Sequence, residues 1–435
     1  MNFFDEISLD EIKGKEYDNQ ILNTLEYGKA SLTHYLHNST NGVSKSYKQN
    51  ALNFVKHALE YKFPDAEIDR GTTERALGNL LDEQLTRQVP FPAPEKPSFK
   101  FIDLFAGIGG FRIAAQSLGG KCVFTSEWDQ FSQQTYFENF GEIPFGDITK
   151  DETKNFIPQN FDVLCAGFPC QPFSYAGLTK GFEDSTRGTL FFDILAILKK
   201  HQPKMFLLEN VKGLKSHDNG KTMEIIEKSL QELGYNVQWE ILNSYDFGLP
   251  QYRERWYCVG FKDQVNFSFP KGKQRGSKIK DIVDEKSNKD PRLALSAFET
   301  ERINFHFKSD QIRVQHDNHK YEAHTKKGRH GVFSFQKPDG ALRFHIGDAA
   351  KTQIQEAFYA CVDTYAPTII ANRVPKLWDL NRKLSVLEAQ RLQGFPDKYK
   401  FPVSDNQAYK QLGNSVAIPV LKAIFENMVN AIKTQ

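Results

Sequence analysis

Between residues 98 and 262 short apolar runs alternate with helical stretches, and that alternation restricts this part of the chain to parallel β/α layers. Phe99–Phe105, Cys122–Ser126, Asp162–Ala166, Met205–Leu208, Asn236–Leu242 and Trp256–Phe261 read as its strands. Helical patterns precede it at Asn50–Leu59 and Thr73–Leu81. They are separated from it by Pro90-Phe91-Pro92-Ala93-Pro94-Glu95-Lys96-Pro97, four prolines in eight residues, which predicts a stiff extended linker. Residues 263–378 are rich in Lys, His, Asp and Gly and show no clean period. Helical patterns return at Leu384–Gln393 and Val416–Ala431. A chain of 435 residues exceeds what one core organises. Four segments are therefore expected: a mostly helical extension and linker (1–96), the β/α domain (97–262), an irregular domain (263–378) and a C-terminal segment (379–435).

Charge is unevenly spread behind a net value of +2. Residues 1–89 hold 10 Lys/Arg against 14 Asp/Glu, whereas residues 271–350 hold 17 against 11 and six of the eleven histidines. A basic stretch in a nearly neutral chain suits a phosphate-binding surface, and a solvated loop region would look similar. The five cysteines (122, 165, 170, 258, 361) are odd in number and form no CxxC pair. That points to a reducing compartment, the cytoplasm, and away from a disulfide framework or a metal site. No apolar run is expected to span a membrane, and the acidic start Met1-Asn2-Phe3-Phe4-Asp5-Glu6 carries no export pattern.

Four strand ends carry candidate chemistry. After Phe101–Phe105, the turn Ala106-Gly107-Ile108-Gly109-Gly110 opens a helix, and the next strand ends at Glu127. Glycines let a ligand approach the backbone, and an acid at the next strand end suits ribose hydroxyls. NAD, FAD and S-adenosylmethionine sites share this layout. The missing third glycine of GxGxxG tilts the reading towards S-adenosylmethionine, which has no pyrophosphate. After Asp162–Ala166, Phe168-Pro169-Cys170-Gln171-Pro172 places a thiol on a bend stiffened by two prolines, a fit position for a nucleophile. Met205–Leu208 runs into Glu209, a carboxyl at the strand end where ligands bind in parallel sheets. Arg253 and Arg255, at i and i+2 before the last strand, share one face of an extended segment.

In order, Phe105-Ala106-Gly107-Ile108-Gly109-Gly110, Gly167-Phe168-Pro169-Cys170-Gln171-Pro172-Phe173-Ser174, Glu209-Asn210-Val211, Gln251-x-Arg253-x-Arg255 and Gln411-x-Gly413-Asn414-Ser415-Val416 resemble the blocks of bacterial C5-cytosine DNA methyltransferases. Arg187–Asp193 and Arg391–Pro396 resemble further blocks of the family. The likeness spans about 98–262 and 380–432; it is faint over 263–378 and absent from 1–96.

The resemblance implies a Rossmann-like α/β methyltransferase domain using S-adenosylmethionine, with a smaller target-recognition domain at 263–378 and no metal. It implies that Cys170 adds to cytosine C6, that Glu209 sits at N3, that Arg255 contacts the base carbonyl and that Arg253 helps order the catalytic loop. For the cofactor it implies Phe105 at the adenine, Gly107, Ile108 and Gly109 at the methionine end, Glu127 on the ribose and Trp128 on the adenosine. Asp147 and Ile148 would meet the adenine amino group, Pro169 and Leu190 would flank the cofactor, and Asn414 and Ser415 would return from the C-terminus to close the site. The substrate would be a cytosine flipped from duplex DNA, acted on by a monomer working alongside, without binding, a restriction endonuclease. Thr368–Asn372 resembles a block near the end of the recognition domain, and Lys326–Gly331 is a candidate for base reading. An RNA-directed relative would share the loop and the thiol chemistry. A dinucleotide oxidoreductase would share only the glycine loop.

Overall fold

The computed structural model describes residues 19–38, 45–86, 89–169, 190–272, 277–297, 299–300, 332–336, 342–346, 359–371 and 373–433. The chain forms two compact units, Met1–Trp239 with Tyr257–Val265, and Glu240–Trp256 with Asn266–Gln435. These cut across the linear segments. The N-terminal helices belong with the β/α layers, and the C-terminal helices fall within the second unit.

The first unit begins with α1 (Asn19–Asn38), α2 (Lys45–Lys62) and α3 (Arg70–Thr86). Leu36 of α1, Phe54, Val55 and Leu59 of α2, and Leu77 and Leu80 of α3 bury a small core of their own. Asp69 starts α3 by accepting from the Thr72 amide at 2.6 Å. The proline-rich linker is tied down: the Gln116 side chain donates to Pro92 O at 3.2 Å, and Phe91 N donates to Asn139 O.

Next come β1 (Phe99–Leu104), α4 (Gly110–Gln116), β2 (Gly120–Ser126), α5 (Gln130–Phe140), β3 (Val163–Gly167), α6 (Leu190–His201), β4 (Met205–Val211), α7 (Lys221–Glu232), β5 (Asn236–Asn243), β6 (Gln251–Tyr252) and β7 (Glu254–Phe261). Six of these strands form one sheet in the order β2-β1-β3-β4-β7-β5, with β1–β2, β1–β3 and β3–β4 parallel. The expected strands are present with small changes of boundary. β2 is buried throughout and β3 nearly so, as strands covered on both faces must be, which is why they read as continuous apolar runs. At Gly260 of β7 an added Cβ would lie 2.1 Å from the Phe206 ring of β4, so glycine is what lets that ring fit. From β1 the chain steps out to β2, then returns to β3 on the other side. The order therefore reverses between β1 and β3, and ligands bind beyond the carboxyl ends of strands at such a point.

The second unit is built from shorter pieces. β6 pairs with β11 (Ala366–Pro367), β10 (Tyr359–Ala360) pairs with β12 (Lys376–Leu377), and β12 pairs with β13 (Arg382–Lys383). β8 (Val332–Gln336) and β9 (Leu342–Ile346) form an antiparallel pair, and three 3-10 turns lie between Ile279 and Leu293. Among the described residues its helices are α8 (Val386–Leu392), α9 (Asp405–Asn414) and α10 (Ile418–Lys433). Contrary to the sequence expectation, Asp405–Lys433 contains a stretch long and apolar enough to cross a bilayer, but half of that window is buried inside the protein, as in a core helix. The apolar face of α10 (Val420, Leu421, Ile424, Phe425, Met428) accounts for both its hydropathy and its burial.

Candidate active site

The loop after β1 is set by left-handed backbone. Phe105, Gly107 and Gly109 have φ of 54°, 54° and 79°. Two glycines relieve what would otherwise be a costly run, and Phe105 bears the remaining strain. The glycines differ in purpose. At Gly109, the N-cap of α4, a Cβ would lie 2.4 Å from the Phe140 ring, so this position supplies the close packing that a third glycine gives elsewhere. At Gly107 a Cβ would meet nothing within 4 Å, which leaves the backbone open to an approaching ligand. Ile108 is buried at 1 % exposure and anchors the turn between them.

Glu127 follows β2. Its Oε2 accepts from Gly107 N and its Oε1 from Asp129 N, both at 2.8 Å, so the carboxylate is locked across the glycine loop. Each oxygen keeps a lone pair for a further donor. Burial pushes this carboxyl's pKa up, against the pull of the backbone amides. The adjacent Trp128 is 77 % exposed, an aromatic face left to solvent beside a buried acid. Asp147 is half-buried, with Oδ1 accepting from the amide and hydroxyl of Thr149 at 2.9 Å, and Ile148 is buried beside it. Phe145 joins this strip to β2: its amide donates to Thr125 O, and its carbonyl accepts from Glu127 N, both at 2.8 Å. A sulfonium nucleoside fits these residues. The open backbone at Gly107 and the buried acid with spare acceptors at Glu127 suit ribose hydroxyls, and Trp128 offers a flat face.

On the other side of the reversal point, Gly167 at the end of β3 lies in register with Glu209 of β4. Glu209 is 8 % exposed, and the loop that leaves β3 beside it passes through Phe168 and the exposed Pro169. Cys170, the next residue, lies outside the described residues, as does Arg187; Leu190 opens α6 and is half-buried. Asn210 ties the two strand ends together. Its Nδ2 donates to Phe168 O at 3.0 Å, and its Oδ1 accepts from Val211 N at 2.7 Å. Sequence reasoning gave Asn210 no role although it stands in the Glu-Asn-Val block. The signal was a buried amide next to a strand-end acid.

The family model for C-5 cytosine-specific DNA methylases matches residues 99–430. The chain belongs to that family. It is a DNA cytosine-5 methyltransferase. It is 47% identical over 355 residues to the type II methyltransferase M.HpaII of Haemophilus parainfluenzae, covering 79% of this chain and 94% of that one. To M.HhaI of Haemophilus parahaemolyticus it is 40% identical over 361 residues, covering 81% and 98%. The S. pombe Dnmt2 methyltransferase structure shares the fold, with a TM-score of 0.53 at 16% identity over 77% of this chain and 99% of that one.

The remaining predicted site residues of the methyltransferase lie in the second unit. Arg253 is 2 % exposed. Its guanidinium donates to the carbonyls of Ile369 (2.9 Å), Gly413 (3.3 Å) and Ser415. It therefore pins the backbone of Gly413 and Ser415, on either side of Asn414, to the strand segment from which it projects. Gly413 is required there, because a Cβ would lie 2.2 Å from the backbone of Ile370. Gln251, fully buried, does the same work beside it: it accepts from Ile369 N at 2.9 Å and donates to Leu392 O at 3.0 Å. Arg255 is half-buried, with Nη1 on Glu254 O at 2.9 Å. Asn414 is exposed at the end of α9, and Ser415 is its C-cap. Lys326–Gly331 and Asn372 lie outside the described residues.

Proposed function

We propose that this methyltransferase moves a methyl group from S-adenosylmethionine to C5 of a cytosine flipped out of duplex DNA, through a covalent bond between Cys170 and C6. One observation carries the reading. The point where the sheet order reverses is flanked by the glycine loop locked to Glu127 and by the strand end that leads, in register with Glu209, to Cys170.

The cofactor would be held by Phe105, Gly107, Ile108, Gly109, Glu127, Trp128, Asp147 and Ile148, with Pro169, Leu190, Asn414 and Ser415 completing its surroundings. When bound it supplies an electrophilic methyl group. Cys170, as the thiolate, adds to C6, and the electron pair of the C5–C6 bond moves to C5. Glu209 holds the proton or hydrogen bond at N3 that stabilises the negative charge, and Arg255 binds the base carbonyl. Once C5 carries the methyl group, loss of its proton to base and elimination at C6 free the thiolate. Arg253 serves this chemistry by fixing the Gly413–Ser415 backbone. Residues 263–378 would select the DNA sequence by reading base edges in the major groove. The type II names of the relatives support a role in shielding host DNA from a partner endonuclease. On this proposal the methyltransferase works as a monomer in the cytoplasm.

Duplex DNA containing 5-fluorocytosine tests the covalent step, since fluorine cannot leave as a proton. The unaltered chain should form a denaturation-resistant complex with it, and Cys170→Ser should form none while binding S-adenosylmethionine as before. Methyl transfer by Cys170→Ser at a comparable rate would remove Cys170 from the mechanism.

A further inference from the structure

The matched family domain begins at residue 99, which leaves α1–α3 outside it. These helices make two separate chains of contacts to the glycine loop. The first starts at Tyr47 of α2, fully buried, whose hydroxyl shares its proton between Val123 O and Phe156 O, each at 3.0 Å. The Tyr47 ring stacks on Phe145 at 5.7 Å, and Phe145 stacks in turn on Phe124 at 5.2 Å. The Phe145 carbonyl accepts from Glu127 N, and Glu127 accepts from Gly107 N. The path runs from arm to cofactor loop in three steps.

The second chain starts on α1. Thr33 Oγ1 accepts from Ile143 N at 3.0 Å. His34 donates Nδ1–H to Ala30 O at 2.9 Å, so its bare Nε2 faces Glu142 at 3.7 Å. Glu142 pairs with Arg112 at 2.8 Å, both essentially without solvent exposure, and the Arg112 guanidinium lies over the Phe140 ring at 4.6 Å. Arg112 belongs to α4, whose cap is Gly109, itself packed on Phe140. A buried ion pair is stable only while it stays covered and its geometry is held. His34 and Thr33 supply that cover, so release of the arm would wet Arg112–Glu142 and free α4 to shift at its glycine cap.

We propose that the N-terminal arm is a built-in part of the cofactor site, with Tyr47 and His34 as positioning residues that set the affinity for S-adenosylmethionine without touching it. The proposal rests on reading the glycine loop as the S-adenosylmethionine site. Tyr47→Phe in the full chain keeps the ring and removes the hydroxyl that secures Val123 and Phe156. Calorimetry should show S-adenosylmethionine binding weakened by about five- to tenfold, the scale of one lost buried hydrogen bond. At saturating cofactor, kcat on duplex DNA should stay within about twofold of the unaltered value, since no reacting group is moved. His34→Gln should act in the same direction and serves as the test if Tyr47→Phe does not fold. Lys56→Ala, which removes only a surface pair with Glu60, should leave cofactor binding unchanged. Unaltered cofactor affinity in variants whose melting temperature falls would overturn the proposal and leave the arm a stabilising element alone. Failure of the unaltered chain to bind S-adenosylmethionine would instead overturn the reading of the loop, and the brace with it.

Discussion

The two units hold themselves together by different means. In the first, the sheet is ordered by backbone ladders: its four consecutive strands β2, β1, β3 and β4 are parallel. In the second, apart from the five-residue pair β8–β9, the described paired strands β6, β10, β11, β12 and β13 are two residues long, and buried polar side chains join these short pieces. Arg253 gathers three carbonyls, Gln251 and Gln393 exchange hydrogen bonds with their neighbours, and Arg382 forms a two-bond pair with Glu388 at 2.7 and 2.8 Å. Glu388 also accepts from Asp284 N at 3.0 Å, which ties a 3-10 turn to α8. Apolar burial tolerates conservative exchange, whereas a directed network does not, because each lost donor strands a buried carbonyl.

That contrast can be broken experimentally. The largest effect is expected in the sheet. Phe206→Ala empties the centre of a fully buried layer and should cost about 3–5 kcal/mol in denaturant unfolding, while Phe206→Leu should cost much less. Next comes Arg253→Lys, which conserves charge but cannot reach three carbonyls with a planar fork, and should cost about 2–3 kcal/mol. A near-neutral Arg253→Lys would mean that the second unit does not depend on directed bonds and that the contrast fails.

Over any single pH unit the effect of acid is smaller, and it sharpens the comparison through pH. Burial pushes His34 down to about 4, against the attraction of Glu142. Glu142 is held at about 2: burial opposes its charge, but the Arg112 guanidinium and the His34 and His37 rings outweigh that. His37 is lowered too, by burial first. A histidine kept neutral when folded contributes stability that is complete above its unfolded pKa and is lost as pH falls through the folded value. Stability should therefore decline from about pH 6.5 towards 4, by roughly 1 kcal/mol per pH unit for each such histidine. Glu142 is shifted in the same direction, so its contribution survives the histidine window and is lost as the pH falls from the ordinary carboxylate range towards about 2. Hydrogen-exchange protection factors should fall in α1 over the histidine window while those of α8 and α10 hold. Equal loss in both units would assign the acid sensitivity to something other than this buried cluster.

The β/α alternation, the glycine turn, the acid at Glu127 and the strand-end position of Glu209 were all legible in the sequence, because each is a local pattern: period, turn chemistry, or a polar residue closing an apolar run. Two of the arm's helices were legible for the same reason. The polar helix α9 was not, since Asp405-Asn406-Gln407 and Lys410-Gln411 look like loop until Ala408, Tyr409 and Leu412 find a core to face. The burial of Arg112 and Glu142 was not legible, because nothing local distinguishes a charge that will be buried from one that will not.

The sequence by itself therefore determined the fold class, the order of the strands along the chain and the kinds of group at their ends, all of which depend on neighbours a few residues apart. Only the tertiary structure decided that the linker is tied down, that Arg253 spends its guanidinium on backbone carbonyls, and that the arm reaches Glu127 and α4. Each of these joins residues tens of positions apart, and the cost of burying a polar group is met only when the distant partner arrives in the right geometry.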